Sequence, residues 1–285
     1  MQKKQQGNSR LVVETWLTDR LHNFYRISLH YQEILLDEQT GHQHIQVANT
    51  DFFGKVLLLD GVIQLTEFDN AGYHEMITHI PMLAHDNPRQ ILIIGGGDGG
   101  TVQQVLRYPG VNLVTVCELD VRVIEVCRQY FPDFGHSFDD DRTQLVIQDA
   151  FEYLQERNRK FDVIIADTTD PIGQAERLFT IEFYKLMVAA LADHGVIVTQ
   201  CEQLYFDSQF IKHMLGIAKK LAEHAVYYHA LVPTYPGGGI GFLYLSDTPW
   251  QNGLSKPYPG KMCYLNHQIH QAAFALPEFL RDILE

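Results

Sequence analysis

The amino-acid sequence predicts an α/β fold, in which a doubly wound and mostly parallel sheet follows a small N-terminal antiparallel β domain. In residues 25–67, short bursts of alternating polar and apolar side chains are separated by TG, FG and DG turn pairs, the pattern of antiparallel hairpins. After Asn70, apolar strands alternate with amphipathic helices, which is typical of a parallel sheet covered by helices. We therefore divide the chain into residues 1–70 and residues 71–285.

The second part begins with a helical pattern at residues 73–84, and the apolar strand at residues 91–94 runs directly into the stretch GGGDGG. Each later strand is a short apolar run, and each later helix repeats apolar residues at three- and four-residue spacing. The predicted strands are residues 113–120, 144–149, 161–167, 194–201, 225–232 and 240–246, and the predicted helices are residues 102–106, 121–130, 181–191 and 210–221.

The composition indicates an acidic globular protein. Of the 285 residues, 46% are hydrophobic, which is enough for one large core and a small second one. The net charge of -13 repels nucleic acid and anionic lipid and attracts small cations, so we expect no nucleic-acid partner and no membrane partner. Four scattered cysteines indicate a reducing compartment, and no window reaches the roughly 18 apolar residues of a membrane span. We expect a cytoplasmic location.

A glycine-rich loop follows the first strand of the second part. Gly95, Gly97 and Gly100 match G-x-G-x-x-G, and Glu118 ends the next strand about 20 residues beyond Asp98, where an acid usually holds ribose hydroxyls. An adenosine-bearing ligand is therefore expected. Asp98 would repel the pyrophosphate of a dinucleotide, whereas it suits the positive charge of a sulfonium nucleoside. The alternative is that Asp98 only caps the following helix.

Carboxylates stand at the ends of the first four strands of the second part. In an open α/β sheet these ends meet at the ligand-binding crevice, so the acids are expected to converge and to attract a cation. Mg²⁺ or Ca²⁺ is one candidate, but no D-x-D loop with a phosphate cradle accompanies the acids, so an organic polycation is favoured and no metal is assigned. Asp120 has the alternative role of capping the next helix. The acids are Asp98, Glu118, Asp120, Asp149, Asp167 and Asp170.

Five ordered motifs resemble the signatures of the spermidine synthase family. They are DGVIQLTE at residues 60–67, YHEM at 73–76, ILIIGGGDGG at 91–100, FDVIIADTTDPIG at 161–173 and PTYPGGGIGF at 233–242, and HQAAFALP at 270–277 resembles the family's closing motif. The resemblance spans nearly the whole chain from residue 31 onward. It implies a Rossmann-like domain of the methyltransferase type behind the N-terminal β domain, and a homodimer or homotetramer.

The resemblance also implies roles for individual residues. Asp167 would be the catalytic base, and Asp98 would hold the ammonium of the donor's propylamine group. The adenosine part of the donor would contact Gln43, Glu118, Asp149, Ala150 and Gln174. The acceptor channel would be lined by Gln64, Tyr73, His74, Asp98, Asp167, Thr168, Thr169, Asp170 and Tyr235.

Some positions match the family pattern only in part. Gln174 and Ala175 depart from it after DPIG, and Ala150 stands where many relatives have glycine. Trp16 would close the far end of the channel, and Glu202 would contact the distal amine of the acceptor.

The implied reaction transfers a propylamine group from decarboxylated S-adenosylmethionine to an amine, with methylthioadenosine as the other product and no tightly bound cofactor. Putrescine, which would give spermidine, is preferred as acceptor over cadaverine, spermidine and agmatine. Two alternatives remain, an S-adenosylmethionine-dependent amine methyltransferase and a non-catalytic polyamine-binding protein. Asp98 argues against the first, and Asp167, Tyr73 and Tyr235 argue against the second.

Overall fold

A computed structural model describes residues 15–156 and 160–284 of the chain. Its first part is a five-stranded antiparallel sheet in which each strand pairs with the next along the chain. The tight turn at Asp60 and Gly61 joins the last two strands, and both residues have positive φ (51° and 77°), as a two-residue hairpin requires. The strands are β1 (Trp16–Thr18), β2 (Ser28–Gln39), β3 (His44–Thr50), β4 (Lys55–Leu59) and β5 (Val62–Thr66).

The second part is a seven-stranded sheet with helices on both faces. Its strands are β6 (Gln90–Gly95), β7 (Leu113–Glu118), β8 (Thr143–Ile147), β9 (Phe161–Asp167), β10 (Leu191–Gln200), β11 (His224–Leu231) and β12 (Gly239–Ser246). The helices are α1 (Asn70–Ala84), α2 (Gly100–Leu106), α3 (Val121–Tyr130), α4 (Pro132–Gly135), α5 (Ala150–Glu156), α6 (Ile181–Ala189), α7 (Ser208–Ala218), α8 (His267–Ala272) and α9 (Glu278–Leu284).

The order of strands in this sheet is β11-β12-β10-β9-β6-β7-β8, and β12 runs antiparallel to its two neighbours. The chain moves outward from β6 through β7 to β8 and then returns to place β9 on the other side of β6. Two neighbouring strands whose connections leave in opposite directions create a crevice beyond their carboxyl ends. The predicted Rossmann-like, doubly wound sheet behind an N-terminal antiparallel sheet is confirmed.

The apolar runs of the sequence form the centre of the sheet because their side chains point alternately to its two faces. Along β6, Ile91 and Ile93 pack into the core layer that contains α1 and α2, whereas Leu92 and Ile94 pack into the layer that contains α5, α6 and α7. All four are at most 1% exposed. Burial of one such side chain contributes about 1.5–3 kcal/mol, so these two layers hold the strand ends in place.

A few element boundaries differ from the sequence prediction. Strand β7 ends at Glu118, because Asp120 is the N-cap of α3. Helix α6 ends at Ala189 and β10 already begins at Leu191, which pairs with Phe161 on β9. No helix in the two described ranges is long and apolar enough to cross a membrane.

Candidate active site

A cavity of about 600 Å³ opens at the carboxyl ends of the parallel strands, where β6 and β9 lie side by side. The glycine loop after β6 forms one wall, and residues of β4 and β5 from the N-terminal sheet form another. Strand-end acids far apart in sequence therefore meet in one place. The predicted ligand-binding residues that line this cavity are Gln43, Gln64, Tyr73, Asp98, Glu118, Asp149, Ala150, Asp167, Thr168, Thr169 and Tyr235.

The glycine loop lies directly against β9 and against helix α1. Gly96 donates its backbone N–H to the Asp167 carbonyl oxygen over 2.9 Å. Gly95 has a φ of 76°, and a Cβ at this position would lie 2.2 Å from the same carbonyl oxygen. A Cβ at Gly100 would lie 2.1 Å from the His74 ring. Only residues without side chains allow these approaches, which bring Asp98 and Asp167 into one cavity.

Asp98 lies in the loop between β6 and α2 and lines the cavity. Its Oδ1 accepts the backbone N–H of Gly100 over 2.7 Å, and its Oδ2 lies 3.1 Å from His74 Nε2. Burial favours the neutral acid, but the His74 ring and the Gly100 N–H outweigh this effect and hold the pKa of Asp98 below its ordinary value. Asp98 therefore presents a negative charge to the cavity while it also binds the first turn of α2.

Asp167 ends β9, and two hydroxyl groups donate to its carboxylate. The Tyr73 hydroxyl lies 2.6 Å from Oδ1, and the Thr101 hydroxyl lies 2.6 Å from Oδ2. Burial and the charge of Asp98 raise the pKa of Asp167 to about 6, against the opposing effects of His74 and the two hydroxyls. Such a carboxylate is ionised at neutral pH and is a stronger base than an exposed aspartate.

Thr101 is a site residue that sequence reasoning missed. It lies on α2 with its side chain fully buried against Asp167. The sequence feature that could have indicated Thr101 as a site residue is its position directly after Gly100, the last glycine of the loop motif. Because a threonine in the first turn of a helix is common, this signal alone did not distinguish it.

Tyr73 and Tyr235 line both the large cavity and a smaller pocket next to it. Their ring centroids lie 6.0 Å apart, and the Tyr235 hydroxyl donates to the Gln64 carbonyl oxygen over 2.5 Å. Burial and nearby acids raise the pKa of both tyrosine hydroxyls well above the ordinary value. Both hydroxyls therefore remain protonated and act as hydrogen-bond donors at neutral pH.

Tyr235 is positioned by a buried acid that sequence reasoning also missed. Asp69 accepts the backbone N–H of Thr234 over 2.8 Å, together with the hydroxyl groups of Thr234 and Thr66. These bonds fasten the segment before Tyr235 to the start of α1. In the sequence Asp69 resembles an ordinary N-cap, although its side chain makes no capping hydrogen bond to α1.

Glu118 ends β7 on the far side of the glycine loop. Its Oε1 accepts the Asp120 backbone N–H over 2.9 Å, and burial raises its pKa to about 7. Asp120 caps α3 by accepting the Arg122 backbone N–H over 3.0 Å, which confirms the capping alternative for this acid. The other oxygen of Asp120 accepts Gln43 Nε2 over 3.2 Å, which ties the loop between β2 and β3 to this end of the cavity.

The remaining wall contains the start of α5. Asp149 accepts the Phe151 backbone N–H over 2.9 Å, and Ala150 is the first residue of the helix. Gln174 lies in the 3-10 turn Gly173–Phe179, and its side chain lies outside the described residues. Within residues 15–156 and 160–284, no three histidine, cysteine, aspartate or glutamate side chains are grouped so that they would hold a metal ion.

A smaller pocket of about 40 Å³ shares Gln64, Tyr73, Thr168 and Tyr235 with the large cavity. Asp170 and Glu202 line only this smaller pocket, whereas Asp167 lines only the large cavity. Trp16 is 52% exposed on the edge strand β1 and is absent from the described lining of both cavities.

The carboxyl groups of Asp170 and Glu202, which line the smaller pocket, both have raised pKa values. Burial and the nearby acids Asp19 and Asp207 raise the pKa of Asp170 to about 6. Burial, Asp170 and Asp207 raise the pKa of Glu202 well above its ordinary value. Glu202 also has a φ of 55°, a conformation that is unfavourable for a residue with a side chain. A strained backbone at Glu202 and two acids with raised pKa values favour a functional pocket that binds a cation.

Family comparisons agree with the sequence motifs. The model described as "Spermine/spermidine synthase domain" matches residues 70–253, and the model described as "Spermidine synthase tetramerisation domain" matches residues 15–67. A polyamine aminopropyltransferase of Thermoanaerobacter sp. (strain X514) is 38% identical over 275 residues, 96% of this chain and 99% of that protein. The spermidine synthase of Dictyostelium discoideum is 40% identical over 257 residues, 88% of this chain and 90% of that protein.

Solved structures show the same similarity. A spermidine synthase crystallised with the transition-state analogue AdoDATO superposes with a TM-score of 0.91 and 33% identity, covering 100% of this chain and 98% of the other. The spermidine synthase from Thermotoga maritima superposes with a TM-score of 0.88 and 31% identity, covering 100% of this chain and 97% of the other. The chain belongs to the spermine/spermidine synthase family.

Proposed function

We propose that this protein is an aminopropyltransferase that moves the propylamine group of decarboxylated S-adenosylmethionine onto putrescine, giving spermidine and methylthioadenosine. The observation that carries the proposal is the pair of half-buried carboxylates, Asp98 and Asp167, in one cavity at the point where strand order reverses. One is held anionic by His74, and the other has a pKa of about 6, which suits a base. A charge-binding acid and a proton-accepting acid are what this reaction requires.

The donor would lie across the glycine loop. Glu118 would accept the ribose hydroxyls, and Gln43, Asp149, Ala150 and Gln174 would contact the rest of the adenosine. Asp98 would bind the ammonium of the propylamine arm, which lies near the sulfonium. The same charge would repel the carboxylate of undecarboxylated S-adenosylmethionine, so one side chain would both bind and select the donor.

The acceptor would enter between Tyr73 and Tyr235. An amine in water is protonated, so Asp167 would first take a proton from the ammonium. The neutral nitrogen would then attack the methylene carbon beside sulfur, and the carbon–sulfur bond would break with its electron pair moving to sulfur, which leaves as a neutral thioether. Gln64, Thr168, Thr169 and Asp170 would complete the acceptor channel. His74, which the sequence also assigned to this channel, is not among the residues that line either cavity and would act through Asp98.

Carboxylates near the attacking nitrogen would favour the transition state. During the reaction positive charge moves from sulfur to nitrogen, toward Asp167 and the tyrosine hydroxyls. Because these groups are fixed by hydrogen bonds, they need little rearrangement as the charge moves.

The direct test is a product assay on the purified protein. Decarboxylated S-adenosylmethionine is incubated with putrescine, cadaverine, spermidine or agmatine in turn, and release of methylthioadenosine is followed by chromatography. We expect release that depends on both substrates and is fastest with putrescine. Transfer of a methyl group from S-adenosylmethionine to putrescine would instead identify an amine methyltransferase, and amine binding without either product would identify a non-catalytic binding protein.

The pH dependence of kcat/KM for putrescine should report the raised pKa of Asp167. The base acts in its deprotonated form, so activity is expected to be present above a pH of about 6 and lost as the pH falls through that value. The loss should reach at least about tenfold per pH unit, because protonation of Asp167 inactivates the base and Asp170, whose pKa is also about 6, lies in the same acceptor channel. Initial rates at low putrescine measure this, with circular dichroism at each pH as the control for folding. A rate that stays constant as the pH is lowered to about 5 contradicts the assignment.

The two parts of the chain would have different tasks in this proposal. Residues 1–70 would supply subunit contacts in a homodimer or homotetramer, and residues 71–285 would supply the catalytic domain. The match of residues 15–67 to a tetramerisation domain supports such an assembly. A cytoplasmic location is proposed from the scattered free cysteines and from the water-soluble cationic reactants.

A further inference from the structure

The pocket of about 40 Å³ has mainly apolar side walls, and the polar side chains of Gln200 and Glu202, which do not line the large cavity, define its polar end. At that end Gln200 Nε2 donates to Glu202 Oε1 over 3.2 Å. Gln200 is only 4% exposed, and within the described part of the chain its Oε1 atom has no hydrogen-bond partner. A buried acceptor without a donor costs free energy, which an ammonium in the pocket would offset. The side walls are Leu21, Val62, Ile63, Pro236 and Ile240.

The ring of His22 lines the pocket beside these polar groups. It stacks on Phe24 with ring centroids 5.1 Å apart, and the edge of Phe206 meets it at 5.3 Å. His22 Nε2 lies 3.9 Å from Asp207 Oδ2, and neither of these buried atoms has a hydrogen-bond partner among the described residues. Stacking on Phe24 and attraction to Asp207 hold the ring in place. Because His22 Nε2 has no hydrogen-bond partner among the described residues, we expect the fold to tolerate a smaller side chain at this position.

Solvent lies just outside this ring. Phe24, which covers the outer side of His22, is 72% exposed. His22 lines only the smaller pocket and not the large cavity, and Phe24 and Phe206 are the rings packed against it, so a single ring with partly exposed neighbours covers this side of the pocket.

We infer that His22 sets the maximum length of the amine acceptor and restricts the reaction to short diamines, an inference that rests on the aminopropyl transfer proposed above. The reacting amine lies beside Asp167, and the second ammonium of the diamine lies at Glu202 and Gln200. A triamine such as spermidine carries a further aminopropyl arm, which would occupy the volume of the His22 ring. The preference for a diamine therefore arises because the His22 side chain sterically excludes a longer amine.

The test compares kcat/KM for spermidine and for putrescine in the wild type and in His22→Ala. We expect the spermidine-to-putrescine ratio to rise by roughly tenfold or more in the variant, the scale on which pockets discriminate by added methylene groups. His22→Phe, which keeps the pocket closed, should leave the ratio low. The matched control is His44→Ala, since His44 also pairs with an aspartate, Asp37, but lies away from the pocket.

Phe24→Ala provides a second route to the same result. It removes an exposed ring that holds His22, so folding should be preserved and the ratio should shift in the same direction by a smaller factor. If His22→Ala and Phe24→Ala are active with putrescine and their ratios equal that of the wild type, the length limit lies elsewhere and the inference is wrong. If the wild type releases no methylthioadenosine with any amine, the proposed function fails, and the inference fails with it.

Discussion

Replacing Asp167 by asparagine is expected to lower turnover by about 100-fold or more, the range for loss of a positioned base. Asparagine has nearly the same shape, so the pocket between Tyr73 and Thr101 is preserved, but the amide cannot take a proton from the acceptor ammonium. One of the two hydroxyl groups then faces an NH₂ group in place of an oxygen. The measurement is methylthioadenosine release in a single turnover at saturating substrates.

Two controls isolate the chemical step in this variant. Binding of methylthioadenosine, measured by calorimetry, should change little because the adenosine residues are untouched. Asp193→Asn is the matched substitution, since Asp193 is an exposed acid near the opposite end of the sheet, on β10. Near-normal turnover of a folded Asp167→Asn protein would remove Asp167 from the role of base.

Asp98→Asn is expected to weaken binding of decarboxylated S-adenosylmethionine by about 10- to 100-fold, the scale of a hydrogen bond to a charged group. The substitution removes the negative charge that would face the donor's ammonium, while the amide oxygen can still accept the Gly100 N–H. Binding of undecarboxylated S-adenosylmethionine should weaken less or improve, because its carboxylate no longer meets a like charge. Calorimetric titration of both compounds gives the discrimination directly.

The partner of Asp98 requires a control in this experiment. His74 is buried against the Asp98 carboxylate, whose charge contributes to the raised pKa of the ring. Loss of that charge lowers the pKa of His74, so the fold of the variant is checked by its melting temperature before binding is compared. Unchanged affinity for the donor together with unchanged discrimination would show that Asp98 does not bind the propylamine arm.

Much of the site could be predicted because its residues lie at the ends of strands that the sequence marks clearly. The run ILIIGGGDGG places Asp98 after a buried strand, and FDVIIAD places Asp167 after another. Local patterns of this kind depend on neighbours within a few residues. Because the carboxyl ends of parallel strands lie at the same edge of a sheet, Asp98 and Asp167 are then expected to lie close together.

Other site residues depend on contacts that no local pattern encodes. Asp69 binds Thr234 across 165 residues of sequence, and Thr101 binds Asp167 across 66. His22 meets Phe206 and Asp207 only because the segment between β1 and β2 folds over the smaller pocket. In the sequence each of these residues resembles an ordinary cap, helix residue or loop residue.

The sequence by itself determined the order and type of the elements, the glycine loop and the set of acids at the strand ends, because alternation, helical spacing and turn residues act over short distances along the chain. The tertiary structure alone decided which acids carry raised pKa values and which side chain closes the smaller pocket. Burial and the approach of charges from distant segments control both properties, since desolvation and Coulomb energy depend on distance in space.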